Sequence, residues 1–371
     1  MAIPKFYTQK EIERRRNIFT RVWKLEDIGR PIFQIWETGA THPTYKIIKD
    51  TSLLLESELR GLEACSKYRC DGPPFLSPYA GVGVIPSAFG CEIVIDEVNE
   101  PETLRLIDRT EDVYKLKKPR PDAGMMAVVL NQLKYLNEIN QGYYDIRMHD
   151  LQGPFSVASL IWGYEDFLAG VLTHPGEAHH LLRLVTEYII DVVEAQRKIV
   201  PNLILCHCCP DWIPPSFGIS VSDDIAAVVS PQIYKEFAVP YNNILSAYFG
   251  GIFIHSCGNC AANYETMLLH KNFRGLNFEA TDNPYPEAVE KLGRKSLIAP
   301  HPGLQFKIKF GNALGYVNYM LKNTPKGVPY VISLWSEMFN PITGKSEKDT
   351  SIDEAIGVLN SLSMDPSQII Y

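Results

Sequence analysis

The sequence lacks any long apolar run. Its longest stretches, such as "MMAVVL" at 125–130, fall far short of the roughly 20 residues that a membrane-spanning helix needs. Its N-terminus carries Lys5, Lys10 and Arg14 to Arg16 with no apolar segment behind them, so it does not read as a signal peptide. Positive charge is not in excess either. The 36 Lys and Arg stand against 43 Asp and Glu, for a net charge of −7, which excludes a global basic field that would draw in nucleic acid or an anionic membrane. There is no low-complexity or charge-block segment and no repeat of fixed short period. With 46% apolar and 21% charged residues, the 371-residue chain is expected to fold throughout. These absences together predict a cytoplasmic protein with no nucleic-acid or membrane partner. In a reducing compartment the 8 cysteines, at 65, 70, 91, 206, 208, 209, 257 and 260, do not form a disulfide framework, and their clustering favours metal or thiol chemistry. No cysteine follows Cys260.

What is present is a recurring short apolar or alternating run. Such runs occur at "PIFQIWE" (31–37), "GVGVIP" (81–86), "YDIRMHD" (144–150), "LILCHCC" (203–209), "IFIHSC" (252–257), "GLNFEA" (275–280), "SLIAPH" (296–301) and "VPYVISLW" (328–335). Segments of helical period separate most of them, as in "PGEAHHLLRLVTEYIIDVVEAQRKIV" and "PYPEAVEKLG". Strand alternating with helix eight times predicts an α/β fold, a (β/α)8 TIM barrel, over residues 31–371. Ahead of it, residues 1–30 form a helical extension, a lid or a plug, opened by a capping box at Thr8 and Glu11. A long insertion at about 51–80 begins with a helical stretch, Thr51 to Tyr68, and continues as a Gly- and Pro-marked loop, "RCDGPPFLSPYAG", above the barrel mouth.

Active sites of such barrels lie at the C-terminal ends of the strands. Several runs end there in titratable or coordinating groups: Glu37, His149 with Asp150 and Gln152, His207 to Cys209, His255 with Cys257, Glu279, His301, and Ser333 to Glu337. Trp36, Tyr79, Trp212 and Trp335 are candidates to wall the pocket and to recognise an apolar or cationic methyl group. We take Trp36, Glu37, Tyr79, Asp150, Gln152, His207, Trp212, His301 and Trp335 as the substrate-binding set.

His255 and Cys257 are separated by one residue, which on a strand puts both side chains on one face. Imidazole and thiolate are the usual zinc donors, and a catalytic zinc site needs three protein ligands with one position open. Glu279, at the end of the next strand, is the preferred third donor, so His255, Cys257 and Glu279 form the candidate metal and catalytic set. Cys260 and Glu337 are the alternatives. In "LCHCCPDW" (205–212), alternation points Cys206 and Cys208 one way and His207 and Cys209 the other. These thiols therefore read as core, with His207 or Cys209 lining the pocket. The "SDD" at 222–224 reads as an N-cap pair, with Asp223, Asp224 or Asp150 as candidate acids.

The phrases "LQGPFSVASLIWGYEDFLAGVLTHPGEAHHLLRLVTEYI", "GISVSDDIAAVVSPQIYKEFAVPYNNIL" and "IHSCGN", in that order and spacing, resemble the uroporphyrinogen decarboxylase-like superfamily. The resemblance implies a (β/α)8 barrel and one of two chemistries: metal-free decarboxylation of a tetrapyrrole, or zinc-dependent methyl transfer with a corrinoid or a thiol such as coenzyme M. The decarboxylase branch carries an arginine-rich segment and an essential aspartate. The corresponding stretches here, "QIWETGATHPTYK" (34–46) and "YAGVGVIPSAFG" (79–90), have neither. The methyltransferase branch places H-x-C at its fifth strand, matched by "HSC" at 255–257. The related cobalamin-independent methionine synthase adds a glutamate after H-x-C, to which Glu279 is suited. Both groups usually add a last-strand cysteine, whereas this sequence has "VISLWSEMF". The resemblance thus implies a Zn2+-dependent methyltransferase moving a methyl group between a small methylated substrate, or a thiol acceptor, and a corrinoid (cobalamin), with a corrinoid protein as partner. A zinc site with fewer thiolates is the better one for polarising an oxygen or nitrogen substituent, which favours demethylation of a small substrate. The alternatives are a metal-free lyase and a non-catalytic binding barrel.

Overall fold

A computed structural model describes residues 3–36, 42–97, 99–207, 210–340 and 345–362. The apolar runs that can bury both faces become parallel strands, as expected of a sheet covered by helices on the outside and by its own interior within. They are β1 (Ile32–Trp36), β2 (Phe75–Leu76), β3 (Asp145–Ile146), β4 (Ile219–Ser222), β5 (Ile252–Ser256), β6 (Phe273–Glu279), β7 (Leu297–His301) and β8 (Val331–Trp335). β4, β5, β6 and β7 form one continuous sheet. β8 pairs with β1 from Val331↔Ile32 to Trp335↔Trp36, and β2 pairs with β3. The ring closes through the Ile298↔Tyr330 bridge between β7 and the approach to β8, and through Gln152↔Ser222 between the continuation of β3 and β4. The Asp71 N–H donates to Phe33 O and ties the approach of β2 to β1. The result is the (β/α)8 barrel that the alternating pattern predicts.

Two of the eight expected strands are placed differently. "GVGVIP" is not a strand: Val84–Phe89 is a helix that ends at Gly90 with φ +109. The strand of that position is Phe75–Leu76, inside the stretch expected to be loop. The run at 203–209 does not form the fourth strand either. Ile204 alone bridges to Arg147, and Ser220 N donates to Leu205 O, so this segment wedges between β3 and β4. Pro210, Pro214 and Pro215 prevent the run from extending. Cys208 and Cys209 lie outside the described residues. The chain turns from the wedge into β4 at Gly218, φ +124, where a Cβ would sit 2.2 Å from Gly251 O. Only glycine permits that approach.

The N-terminal extension is a plug. Helix Gln9–Trp23 is capped by Thr8, whose hydroxyl accepts from Glu11 N at 3.2 Å. The reciprocal half of the box is missing, because the Glu11 carboxylate instead takes Arg14 and Arg15. Ile18, Phe19, Val22 and Trp23 pack with Ile32, Phe253, Leu297 and Val331, at the starts of β1, β5, β7 and β8. Trp23 meets Phe253 edge-on at 5.1 Å. Each large side chain so buried contributes roughly 1.5–3 kcal/mol. The helix closes the N-terminal end of the barrel and leaves the opposite mouth open. The insertion after β1 folds into helices Thr44–Lys49 and Thr51–Ser66. Among the described residues no single helix is long and apolar enough to cross a membrane.

Candidate metal centre

Three potential ligand atoms converge at the C-terminal ends of β4 and β5. Asp224, His255 and Cys257 each offer one, and all three lie within 4.8 Å of one another. His255 Nε2 is 3.3 Å from Cys257 Sγ and 3.8 Å from Asp224 Oδ1. The Cys257 N–H donates to Asp224 Oδ1 at 2.7 Å, so the carboxylate also sets the backbone of the loop that carries the thiol. Burial pushes the Cys257 thiol up, while its hydrogen bond to His255 acts in the other direction. The Cys257 side chain is exposed, leaving one side of the group open to the mouth.

The protonation of His255 follows from its neighbour. Asn277 on β6 stands opposite it in register and is fully buried. Its amide nitrogen donates to Ala299 O, so its carbonyl oxygen is the atom facing His255 Nδ1. An amide oxygen only accepts, which makes Nδ1 the protonated nitrogen and leaves the lone pair on Nε2, toward Cys257 and Asp224. A second partner fixing the tautomer of a ligating imidazole is characteristic of metal centres.

Asp223 faces the other way. Its carboxylate accepts from Tyr234 Oη at 2.7 Å, Asn242 Nδ2 at 3.0 Å and Ser156 Oγ at 3.3 Å. Burial pushes it up to about 6 against those hydrogen bonds. It makes no side-chain cap on the turn that follows, so the expected N-cap pair is instead one buried anchor and one ligand candidate. The anchor acts on the centre through the backbone, since Asp223 N donates to His255 O.

The other expected donors lie around this group rather than in it. Glu279 ends β6, and its Oε2 accepts from Gly258 N at 3.4 Å. Burial, then the adjacent Asp282, pushes it up to about 6. Cys260 is buried, donates its N–H to Asn283 Oδ1 at 3.0 Å, and is pushed up to about 12 by burial. Glu337 opens the hairpin beyond β8 and is not a member of the group.

Most of the expected substrate-binding residues do gather at the mouth. Trp36 stacks on Trp335 at 6.1 Å, while Trp335 meets His301 at 5.9 Å and His301 meets His255 at 5.5 Å with their planes tilted. This gives a ladder of rings from β1 to the metal candidate. Across from it, His207 Nδ1 is 3.2 Å from Asp150 Oδ1, which Gln152 Nε2 approaches at 3.4 Å. Tyr79 Oη donates to Glu100 at 2.9 Å, beside the helices after β1. Trp212 does not belong to the mouth: its Nε1 donates to Asp145, the first residue of β3, and its ring meets Phe19 of the plug edge-on. The wedge carries it to the closed end of the barrel. Glu37 lies outside the described residues. His149 turns inward to Gln196, and burial lowers it to about 4, so it is neutral.

Two residues were not picked out as members of the centre. With the fourth strand expected at 203–209, the sequence presents Asp224 only as a cap or an acid. Read as a strand, "ISVSDD" ends in carboxylates beside H-x-C. Asn277 precedes Glu279 by one alternation and so shares its face.

A closed ring of eight parallel strands with polar groups on its C-terminal rim defines the class of protein. Residues 61–207 match the family described as uroporphyrinogen decarboxylase (URO-D). A methyltransferase from Methanosarcina mazei has a similar structure, with a TM-score of 0.65 at 15% sequence identity over 94% of this chain and 97% of that one. No curated protein matches the sequence. Over residues 61–207 the chain is thus similar to the uroporphyrinogen decarboxylase family, and its fold as a whole is similar to that of the methyltransferase. The matched segment ends before β4, so the family match does not reach Asp224, His255 or Cys257.

Proposed function

We propose that the chain is a zinc-dependent methyltransferase that moves a methyl group between a small methylated substrate and a corrinoid. The observation that carries the reading is the group of Asp224, His255 and Cys257 with the imidazole lone pair aimed into it. Three protein donors of nitrogen, sulfur and oxygen type with one open side suit catalytic zinc. The similarity to a methyltransferase fold supports the same reading.

Bound there, zinc would supply Lewis acidity to polarise the heteroatom that carries the methyl group. The chain's own residues do the rest. Asn277 holds His255 as an acceptor at Nε2, Asp224 fixes the Cys257 loop, and the rings of His301 and Trp335 shield one side of the centre from water. A corrinoid protein would approach across the open mouth, the face left free by the N-terminal plug.

The test is elemental analysis of the purified protein, followed by incubation with cobalt(I) cobalamin and a panel of methoxylated and methylated-amine compounds. A stoichiometric metal and a change in the corrinoid spectrum with some member of the panel are expected. Full activity in chelator, or methylation of thiols with no activity across the panel, would overturn the reading. Metal-free acid catalysis by Asp223 is not favoured, because Ser156, Tyr234 and Asn242 enclose its carboxylate.

A further inference from the structure

A cavity of about 450 Å³ lies between the ends of β1 and β2 and the helices Thr44–Lys49 and Thr51–Ser66. It is separate from the Asp224–His255–Cys257 group. The two share one boundary, since Trp36 lines the cavity and stacks on Trp335 at the mouth. Its walls are largely apolar, with Ile47, Leu54, Leu62 and Phe75 among them.

Two polar side chains in this wall have capacity left over. Arg147 is only 7% exposed. Its guanidinium lies on the Phe75 ring at 3.6 Å and donates from Nη1 to Asp211 at 2.9 Å. Its buried Nε has no acceptor. A buried donor without a partner is costly, and an empty place for an acceptor is the simplest account of it. Glu58, on the helix above, accepts from Ser77 N at 2.7 Å, but among the described residues no basic side chain pairs with it. Burial pushes this carboxyl up to about 7, with Arg147 acting in the opposite direction.

Each simpler ligand leaves one of these groups unanswered. An apolar molecule answers neither, a cation leaves Arg147 Nε without an acceptor, and an anion adds charge beside Glu58. A dianion is excluded further, because Asp211 already neutralises Arg147. We propose that the cavity binds a small zwitterion with an apolar body, of the N-methylated amino acid or betaine class, its carboxylate on Arg147 and its cationic nitrogen between Glu58 and the face of Trp36. A methylated ammonium against an indole face is a favourable pairing, and the cavity is of the size that holds small organic ligands. As the substrate class of a methyl transfer this rests on the function proposed above, whereas as a binding site it stands on the cavity alone.

Calorimetric titration of the full chain with N,N,N-trimethyl-leucine tests it, with two half-ligands for comparison. These are 4-methylpentanoate, which lacks the cation, and isopentyltrimethylammonium, which lacks the carboxylate. The zwitterion is expected to bind at one site, at least about 10-fold more tightly than either half. Glu58→Gln, which keeps the shape, should lower its affinity about 10-fold or more without changing the metal content, as should Arg147→Gln if that variant folds. Equal binding of either half-ligand, or undiminished zwitterion binding by Glu58→Gln, overturns the proposal. Tight binding that survives removal of the metal, with no methyl transfer, supports the site and counts against the methyltransferase reading alone.

Discussion

Asn277→Ala separates a metal centre from a merely packed histidine. The wild-type amide accepts from His255 Nδ1 and donates to Ala299 O, and the residue is fully buried. Truncation leaves one imidazole N–H without a partner in the barrel wall, whereas the Ala299 carbonyl loses only its side-chain donor and stays in the parallel ladder with β6. At about 1–3 kcal/mol for one unsatisfied buried group, folding stability should fall by roughly 1–3 kcal/mol. Zinc affinity should fall separately, because the imidazole is no longer held in the Nδ1–H tautomer. Losing such an outer partner typically costs 10–100-fold, or about 1.4–2.7 kcal/mol. Asn277→Asp divides the two effects. The carboxylate still accepts from Nδ1 and makes the imidazole more basic, but it turns a lone pair toward Ala299 O. This variant should be destabilised and yet bind zinc at least as tightly as the wild type. Denaturant unfolding reports the first quantity and competition with a calibrated chelator the second. A folded alanine variant with unchanged zinc affinity would refute the reasoning, as would an aspartate variant that loses zinc to the same extent as alanine.

Cys257→Ala should remove zinc and abolish methyl transfer while leaving the circular dichroism spectrum intact, since this thiol is exposed; collapse of the fold would mark it as a structural residue instead. Asp224→Asn should lower zinc affinity by about 10-fold or more, and by more than Glu279→Gln, because Asp224 is in the group of three and Glu279 is not. The reverse order in a chelator competition would make Glu279 the third donor. Glu58 gives a pH signature: its carboxyl rises from 4.5 to about 7 in the fold, so between those values the native state holds a proton that the unfolded chain has released. Stability therefore falls as pH rises through that window, by on the order of 3 kcal/mol. Glu58→Gln should remove this part of the slope while leaving the similar contribution of Asp223, which rises from 3.8 to about 6. An unchanged slope in denaturant titrations between pH 4.5 and 7 would rule the assignment out.

The barrel was legible where a strand is long and apolar throughout, as in "IFIHSC", whose five strand residues are all buried. It was hidden where polar side chains serve the interior. β4 reads "ISVS", with Ser220 and Ser222 buried. Both are satisfied by one residue of the wedge: Ser220 Oγ accepts from His207 N at 3.3 Å, and Ser222 Oγ lies 3.5 Å from His207 Nε2. A serine-rich run looks like a loop until its partner is known, and that partner is a histidine contributed by the segment mistaken for the strand. β2 has two residues, too few to carry any period, whereas "GVGVIP" alternates over a stretch that Gly83 and Pro86 deliver into a helix. Local pattern lost there to turn chemistry.

The same displacement of β4 explains why the site was only half legible. H-x-C is a local feature and was readable, but the third donor depends on which strand lies beside β5, and that is a property of the closed ring. With the fourth strand expected at 203–209, the sequence favours a third donor from the end of β6, Glu279, over Cys260 and Glu337. With β4 at Ile219–Ser222, its register against β5 pairs Ser222 with His255, so the residues immediately after it reach the centre. The substitution also bears on the chemistry. A carboxylate in place of the usual last-strand thiolate leaves the formal charge of the donor set unchanged, so the expectation of a less negative site does not carry the argument for a stronger Lewis acid. The kind of donor still matters: carboxylate oxygen is harder than thiolate sulfur and gives up less electron density to the ion. A zinc ion held by Asp224, His255 and Cys257 would keep more of its polarising power for an oxygen or nitrogen substituent, which is the property that removing a methyl group from such a substituent requires.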